Sequence, residues 1–183
     1  MKNKKLFVFV IIIAFYFSNL RAIEPDIFVQ STVNRASAIL SENISKEQKI
    51  DKLKKIAKET VDIRGIGFYT LGPIRKSLDK EQKNQYSKLF EVYFLKSFSS
   101  RLSEYTNPEI DVLSKEVLNK NYTIVNSLLK ATKERPEIKI DWRIYTKNIE
   151  NPLIRDLIIE GLSLARTQKE EFASILNSND GNI

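Results

Sequence analysis

The stretch IKIDWRIY at residues 138–145 alternates apolar and polar side chains along its length. This period of two predicts a β-strand that buries one face and exposes the other. On either side of it, residues 122–129 and 153–160 are predicted as neighbouring strands, and the more polar segment 109–118 as a fourth. Four consecutive strands joined by short turns favour an antiparallel meander with one apolar face.

The rest of the chain has the spacing and the capping residues of helices. Val29, Val33, Ala36 and Leu40 recur at helical spacing and predict an amphipathic helix over 26–43. Three further helices are predicted: one opened by a capping box at Ser45 to Gln48, one over 80–105 opened by Asp79 to Gln82, and a last one over 161–177. Glycines break the segment 62–73, for which we expect a short helix.

The longest predicted helix carries a broad aromatic stripe, made of Tyr86, Leu89, Phe90, Tyr93, Phe94 and Phe98. Such a stripe ordinarily packs in a core, and it needs an equally large apolar surface to cover it. Helices first, then strands, then a helix predict an α+β fold. We expect helices packed on one side of a curved antiparallel sheet of about four strands, which together form a cup.

The N-terminal residues have the organisation of a secretory signal peptide. Three lysines precede twelve uninterrupted apolar residues at 6–17, and Ala22 offers a cleavage site. The apolar run is too short to span a bilayer as a helix. We therefore expect residues 1–22 to be removed and residues 23–183 to form one domain. Loss of four bases leaves 26 bases against 23 acids, which argues against a nucleic-acid-binding protein.

The composition excludes several kinds of catalytic site. The chain of 183 residues contains no cysteine and no histidine, so it has no disulfide, no Cys–His zinc site and no Ser-His-Asp triad. Ser163 lies in a segment faintly like a nucleophile elbow, but no histidine is present to activate it. Asp62 and Asp156 are predicted as capping or ion-paired acids, with Arg64 or Arg155 as partner, rather than as general bases. We expect no enzyme activity and no cofactor.

Several motifs of the chain resemble those of one known family. The N-terminal core of that family is similar to four features of this chain: Asp62, Leu71-Gly72, Asp79-x-Glu81-Gln82 and an aromatic helix ending near Tyr105. The family's paired strands are similar to residues 139–144 and 154–164, and the second of these ends in E-G-x-S-L. The family's last helix is similar to residues 168–176. This is the MlaC-like family, also called toluene-tolerance or ABC-transporter auxiliary proteins. The resemblance implies a periplasmic phospholipid carrier, with an inner-membrane ABC transporter complex and an outer-membrane lipoprotein complex of the Mla type as partners.

The predicted lipid site combines the aromatic helix, the apolar strand face and the segment between the second and third long helices. The residues expected to contact acyl chains are Ile66, Phe68, Tyr69, Leu71, Phe90, Phe94, Ile140, Trp142, Ile144 and Ile158. The main alternative is a periplasmic adaptor domain that has a fully packed core, binds a protein and carries no ligand. An enzyme built on a similar cup is a third alternative, which the missing histidine disfavours.

Overall fold

The computed structural model describes residues 22–179. The predicted signal peptide therefore lies outside the described residues, apart from Ala22. Within the described part of the chain, the helices are all too short or too polar to cross a membrane. These residues form one sheet with helices packed on it.

Five strands form one antiparallel sheet, and their order in the sheet is their order in the sequence. The strands are β1 Ile110–Asn119, β2 Tyr122–Leu129, β3 Ile138–Tyr145, β4 Leu153–Ile159 and β5 Leu162–Ser163. Trp142 of β3 pairs with Val125 on one side and with Leu157 on the other, at the centre of the sheet. The predicted meander is confirmed, with one short strand more than expected.

The helices lie close to their predicted positions. They are α1 Pro25–Ser41, α2 Lys46–Thr60, α3 Ile63–Thr70, α4 Lys80–Leu102 and α5 Leu164–Ser178, with a 3-10 helix at Gly72–Lys76. Both predicted capping boxes are present, at Ser45 with Gln48 and at Asp79 with Gln82. The longest helix ends at Leu102 instead of Tyr105, because the backbone N–H of Tyr105 closes a tight turn on the carbonyl of Leu102.

A hairpin turn explains why the last helix begins later than predicted. Glu160 and Gly161 both have positive φ, at 49° and 83°, which reverses the chain after β4. The next two residues pair back on β4 as β5. Ser163 then caps α5 by accepting a hydrogen bond from the backbone N–H of Arg166. Residues 161–163, predicted as helix, are therefore the turn, strand and cap that precede it.

The helices cover the apolar face of the sheet. Alternate residues of β2, from Thr123 to Leu129, are buried, and their neighbours are only partly so. α1 packs on β1 and β2, whereas α3 and α5 pack on β4. α4 packs mainly on α2 and α3 and forms an outer layer. The fold is α+β, as predicted.

Candidate functional site

An apolar cavity lies between α1, α2, the end of α4 and the inner face of the sheet. This deep cavity has a volume of about 140 Å³. Its walls are almost entirely apolar and include Ala36, Leu40, Ala57, Phe98, Tyr105 and Ile140. The sheet and the helices therefore do not close into a solid core at this end of the molecule.

A second cavity adjoins the first between α4, α5 and β4. This middle cavity has a volume of about 170 Å³ and is lined mainly by apolar side chains, such as Phe94 and Phe98 of α4, Leu164 of α5 and Leu157 of β4. Four charged side chains, those of Arg101, Arg155, Asp156 and Glu171, also line it. Five residues line both cavities: Val61, Phe98, Trp142, Ile154 and Leu157. The indole N–H of Trp142 donates a 2.8 Å hydrogen bond to Ser127 Oγ, which fixes the ring in this common wall.

A third cavity is polar. This polar cavity, of about 320 Å³, lies where α3 and α5 meet the ends of the strands, and it is lined by Gly65, Ile66, Tyr69, Leu118, Asn119, Tyr122, Arg143, Arg155, Asp156 and Ala165. Ile66, Arg155, Asp156 and Ala165 also line the middle cavity. The three cavities thus adjoin in the order polar, middle, deep.

A β-bulge places Arg155 in the wall of the polar cavity. Arg143 pairs with Asp156 and Ile144 with Ile154, so Arg155 has no partner residue in β3. Its guanidinium donates to Asp62 at 2.6 Å and to the Tyr122 hydroxyl at 2.6 Å, and it lies 4.0 Å from the Tyr145 ring centroid. Burial acts to lower the pKa of Arg155, but the hydrogen bond and charge of Asp62 outweigh it and hold that pKa above its ordinary value.

The carboxylate of Asp62 has the structural role that the sequence predicts. It caps α3 by accepting a 2.8 Å hydrogen bond from the backbone N–H of Gly65, and it pairs with Arg155 and not with Arg64. Arg64 instead lies over the Phe68 ring, with its guanidinium carbon 5.3 Å from the ring centroid. Asp62 is therefore occupied by a cap and an ion pair.

The serine of the E-G-x-S-L segment, Ser163, is hydrogen-bonded to the buried carboxylate of Asp156. The Asp156 carboxylate is buried and accepts hydrogen bonds from Ser163 Oγ at 2.6 Å and from the backbone N–H of Ala165 at 2.9 Å. Ser163 Oγ also accepts the capping bond from Arg166. The Ser163 hydroxyl therefore donates one hydrogen bond and accepts another, and the two bonds join β4 to the start of α5, which is a structural role.

Five of the ten predicted site residues line a cavity. Trp142 lines both apolar cavities, Ile140 the deep one, Phe94 the middle one, Tyr69 the polar one, and Ile66 both the middle and the polar one. The other five, which line none of the three cavities, are Phe68, Leu71, Phe90, Ile144 and Ile158. Ile144 is fully buried, and Ile158 pairs with the polar Asp141.

Phe90 lies in an aromatic cluster instead of a cavity. Its ring contacts Tyr86, Tyr93 and Phe94 of α4 and Phe172 of α5, with centroids 5.9 to 6.2 Å apart. A Cβ added at Gly67 would lie 2.7 Å from this ring, so the glycine permits α3 and α4 to pack closely.

Burial raises the pKa of Tyr86, although its hydrogen bond with Thr70 opposes the shift. Leu89 of the predicted stripe is exposed.

The predicted site residues do not include the helical walls of the deep cavity. α1 and α2 contribute Val33, Ala36, Leu40, Leu53, Ile56 and Ala57. The spacing of the apolar residues in α1 identifies this inward face correctly. It does not reveal that the face borders a cavity, because an amphipathic stripe looks the same against a solid core.

Comparisons with known proteins agree with the motifs. The family model described as MlaC protein matches residues 30–183. No curated protein matches the chain. A solved structure with a similar fold is that of a phospholipid-binding protein from Ralstonia solanacearum in complex with a phospholipid; it is 16% identical, the match covers 87% of this chain and 90% of that chain, and the TM-score is 0.72. Because the family model spans most of the sequence, the chain belongs to the MlaC family.

Proposed function

We propose that this protein binds a phospholipid and carries it through the periplasm, with the acyl chains held in the middle and deep cavities. The observation that carries the proposal is the apolar deep cavity together with the adjoining, mainly apolar middle cavity between sheet and helices. Membership of the MlaC family supports it, as does the similar fold of a protein that was solved with a phospholipid. Ile66, Phe94, Ile140 and Trp142 are the predicted site residues that contact the chains.

The energetics of acyl chains require an enclosing carrier. Two chains hold about thirty methylenes, and exposing them to water costs on the order of 24 kcal/mol at about 0.8 kcal/mol each. An apolar cavity of about 150 Å³ holds a molecule the size of benzene, and the deep and middle cavities are each of that size. A whole lipid therefore enters only if α4 and the sheet, which bound the middle cavity, move apart.

The cellular setting of the proposal comes from the start of the chain and from the family. The predicted signal peptide and the absence of cysteine fit a periplasmic protein whose fold does not depend on disulfides. An outer-membrane lipoprotein complex and an inner-membrane ABC transporter complex of the Mla type are the proposed partners. Since tails leave for water only at a large cost, release takes place on a partner complex that opens the cavity.

Organic extraction and mass spectrometry of the exported protein test the proposal. We expect diacyl phospholipid of more than one headgroup type in protein purified under mild conditions. Delipidation by reversed-phase chromatography, refolding and exposure to vesicles of phosphatidylethanolamine and phosphatidylglycerol should restore the bound lipid. A well-folded protein that carries no lipid and takes none from these vesicles would favour the adaptor domain instead.

A further inference from the structure

The bases of this protein are concentrated in one part of the fold. Residues 46–102, which run from the start of α2 to the end of α4, contain 14 Lys and Arg against 7 Asp and Glu. The rest of the described chain, residues 22–45 and 103–179, contains 12 Lys and Arg against 15 Asp and Glu. The net positive charge therefore lies on α2, α3 and α4, whereas the sheet together with α1 and α5 is slightly acidic.

The outward side of α4 combines lysines with exposed apolar side chains. Exposed residues recur at Gln85, Lys88, Leu89, Val92 and Lys96, a helical spacing that places them on one side of the helix, here named the α4 outer face. Leu89 and Val92 are 64% and 67% exposed. Within residues 22–179 neither of the two lysines forms a salt bridge. An unpaired cation thus stands on either side of two exposed apolar groups.

The acids of α4 do not offset these lysines. The helix contains two acids, Glu81 and Glu91. Glu91 forms a 2.8 Å salt bridge with Lys58 of α2, which neutralises it. Glu81 lies in the first turn, where the helix dipole favours a negative charge. The middle of α4 therefore has free ammonium groups and no free carboxylate of its own.

A second pair of exposed Leu and Val residues lies in a different electrostatic setting. Leu113 and Val117 of β1 are 60% and 72% exposed, much as Leu89 and Val92 are. The single base of β1, Lys115, forms salt bridges with two acids at the start of the described chain, one of them Asp26. The apolar pair of α4 therefore stands beside free cations and that of β1 beside a neutralised one, so only the α4 pair suits an anionic surface.

We propose that the α4 outer face docks on the surface of a membrane that contains anionic lipids, with Leu89 and Val92 inserted among the headgroups and the lysines at the level of the phosphates. Apolar side chains on a helix face that also carries lysines are typical of helices that lie in a membrane interface. The inference concerns the outer surface of the protein. It goes beyond the proposed function and does not depend on what the cavities hold.

The type of base favours a membrane over an acidic protein as the docking partner. Of the 14 bases in residues 46–102, 11 are lysines. Lysine is depleted in interfaces between proteins, where arginine is enriched. Its compact charge on a flexible side chain suits lipid phosphates that move in the plane of the bilayer. The outer layer formed by α4 therefore has the composition of a membrane-docking surface.

Flotation with vesicles tests the proposal. The exported protein is mixed with vesicles of phosphatidylcholine, with or without phosphatidylglycerol, and the fraction that floats with the vesicles is measured at low and at high salt. We expect binding to vesicles with phosphatidylglycerol at low salt and at least tenfold weaker binding to phosphatidylcholine alone. Salt at about 1 M should release the protein, because the Debye length then falls to about 3 Å.

Two double variants separate the charges of the α4 outer face from those elsewhere. Lys88→Gln combined with Lys96→Gln should weaken binding to phosphatidylglycerol vesicles at least tenfold, since each base near an anionic surface strengthens binding roughly fivefold. Lys120→Gln combined with Lys147→Gln is the control. It removes the same charge from exposed positions at the ends of β-strands and should weaken binding less than about twofold.

A second pair of double variants tests the apolar contacts. Leu89→Ser combined with Val92→Ser should weaken binding to the same vesicles at least fivefold, because the inserted apolar area is lost. Leu113→Ser combined with Val117→Ser removes equivalent side chains of similar exposure from β1 and should bind like the wild type. All four side chains are exposed, so both variants should fold.

The absence of cysteine from the chain permits the docked face to be identified directly. A fluorophore that brightens and shifts to the blue in apolar surroundings is attached to Leu89→Cys or to Leu113→Cys. With phosphatidylglycerol vesicles the label at position 89 should brighten and shift, and the label at position 113 should not. A wild type that binds vesicles while the label at position 89 stays in water would show adsorption by charge alone, as on an acidic protein, and would overturn the inference.

Two other results would also overturn it. One is a wild type that does not bind phosphatidylglycerol vesicles at low salt. The other is a loss of binding in either control variant as large as the loss in its α4 counterpart. None of these results bears on the lipid held in the cavities, which organic extraction measures separately, so failure of this inference leaves the proposed function standing.

Discussion

The polar side chains of β4 have hydrogen-bond partners on every side, whereas its apolar side chains border empty space. At the corner where β4 meets α3 and α5, Asp62, Arg155, Asp156 and Ser163 form short hydrogen bonds with one another or with nearby backbone groups. On either side of Arg155 and Asp156 along the strand, Ile154, Leu157 and Ile159 border a cavity that no side chain fills. The polar residues of the strand are tightly joined to α3 and α5, and its apolar residues leave room beneath the helices.

This difference fits a carrier that must open without unfolding. Polar groups with low exposure hold their hydrogen-bond partners in one geometry, because breaking such a bond leaves a polar group without water or a partner and costs free energy. Apolar walls around a cavity lack such fixed partners, and an acyl chain that enters between them replaces the contacts they lose when they separate. We infer that the corner stays fixed during loading and that the movement is confined to the helices over the two apolar cavities. Substitutions at the corner should therefore cost the most stability, and substitutions at the deep cavity the least.

Asp156→Ala should destabilise the protein most. The substitution leaves the Ser163 hydroxyl and the Ala165 N–H without their charged acceptor, and we expect a loss of about 3 kcal/mol in the free energy of unfolding. Urea unfolding of the delipidated protein measures it. Asp51→Ala, which removes an exposed carboxylate paired with Lys54, is the control and should change stability by less than about 0.5 kcal/mol. Equal small losses for both variants would contradict the fixed corner.

Ile144→Trp should come next. Ile144 is fully buried and borders none of the cavities, so the larger ring has no space and forces its neighbours apart. We expect a loss of about 2 kcal/mol in the unfolding free energy of the delipidated protein. Delipidation matters, because bound lipid adds stability by mass action. A variant as stable as the wild type would mean that the interior beneath this part of β3 is open as well.

Ser163→Ala tests the corner with a smaller change. It removes the cap of α5 and the Oγ–H bond to Asp156, for which we expect a loss of about 1 kcal/mol. Ser174→Ala, at an exposed position of the same helix, should cost nothing. Lipid bound per folded molecule should be unchanged in both. Turnover of an ester substrate that disappears in Ser163→Ala alone would show instead that the serine is a nucleophile.

The sequence specifies the elements of this fold better than their ends. The capping boxes at Ser45 and Asp79 and the alternation of residues 138–145 locate two helices and a strand, because each depends on neighbouring residues alone. The hairpin at Glu160 and Gly161 is not predictable from local pattern, since a helix and a turn compete for the same short segment. The structure settles it through Asp156, which is buried and holds Ser163 at the start of α5.

The site is less predictable than the fold, for a physical reason. A residue that lines a cavity and one that lies in a packed core have the same hydrophobicity and the same spacing, as Trp142 and Ile144 show. What separates them is the distance to the opposite wall, which depends on how α4 packs on α2 and α3. The aromatic stripe is expected from the sequence to face the cavity, but Phe90 packs on Gly67 because the glycine admits its ring.

The smallest expected effect on stability belongs to Ala36→Leu, which fills the deep cavity. Ala36 of α1 borders that cavity, and leucine is nearly as good a helix former as alanine. The added carbons enter empty space, so we expect no loss and a gain of up to about 1 kcal/mol in the delipidated protein. The same carbons occupy volume that the tails need, so the lipid recovered by extraction should fall.

Ala38→Leu separates the effect of volume from that of the substitution. Ala38 is exposed on the same helix and borders none of the three cavities, so the change adds identical carbons where no tail passes. Its lipid content should equal that of the wild type. A loss of stability in Ala36→Leu as large as that in Ile144→Trp would show that α1 packs as tightly as the sheet core. The opposite outcome, in which Ala36→Leu has normal stability but carries less lipid, requires empty space under α1. The two alanine substitutions therefore test directly whether the deep cavity is the part of the molecule that holds lipid.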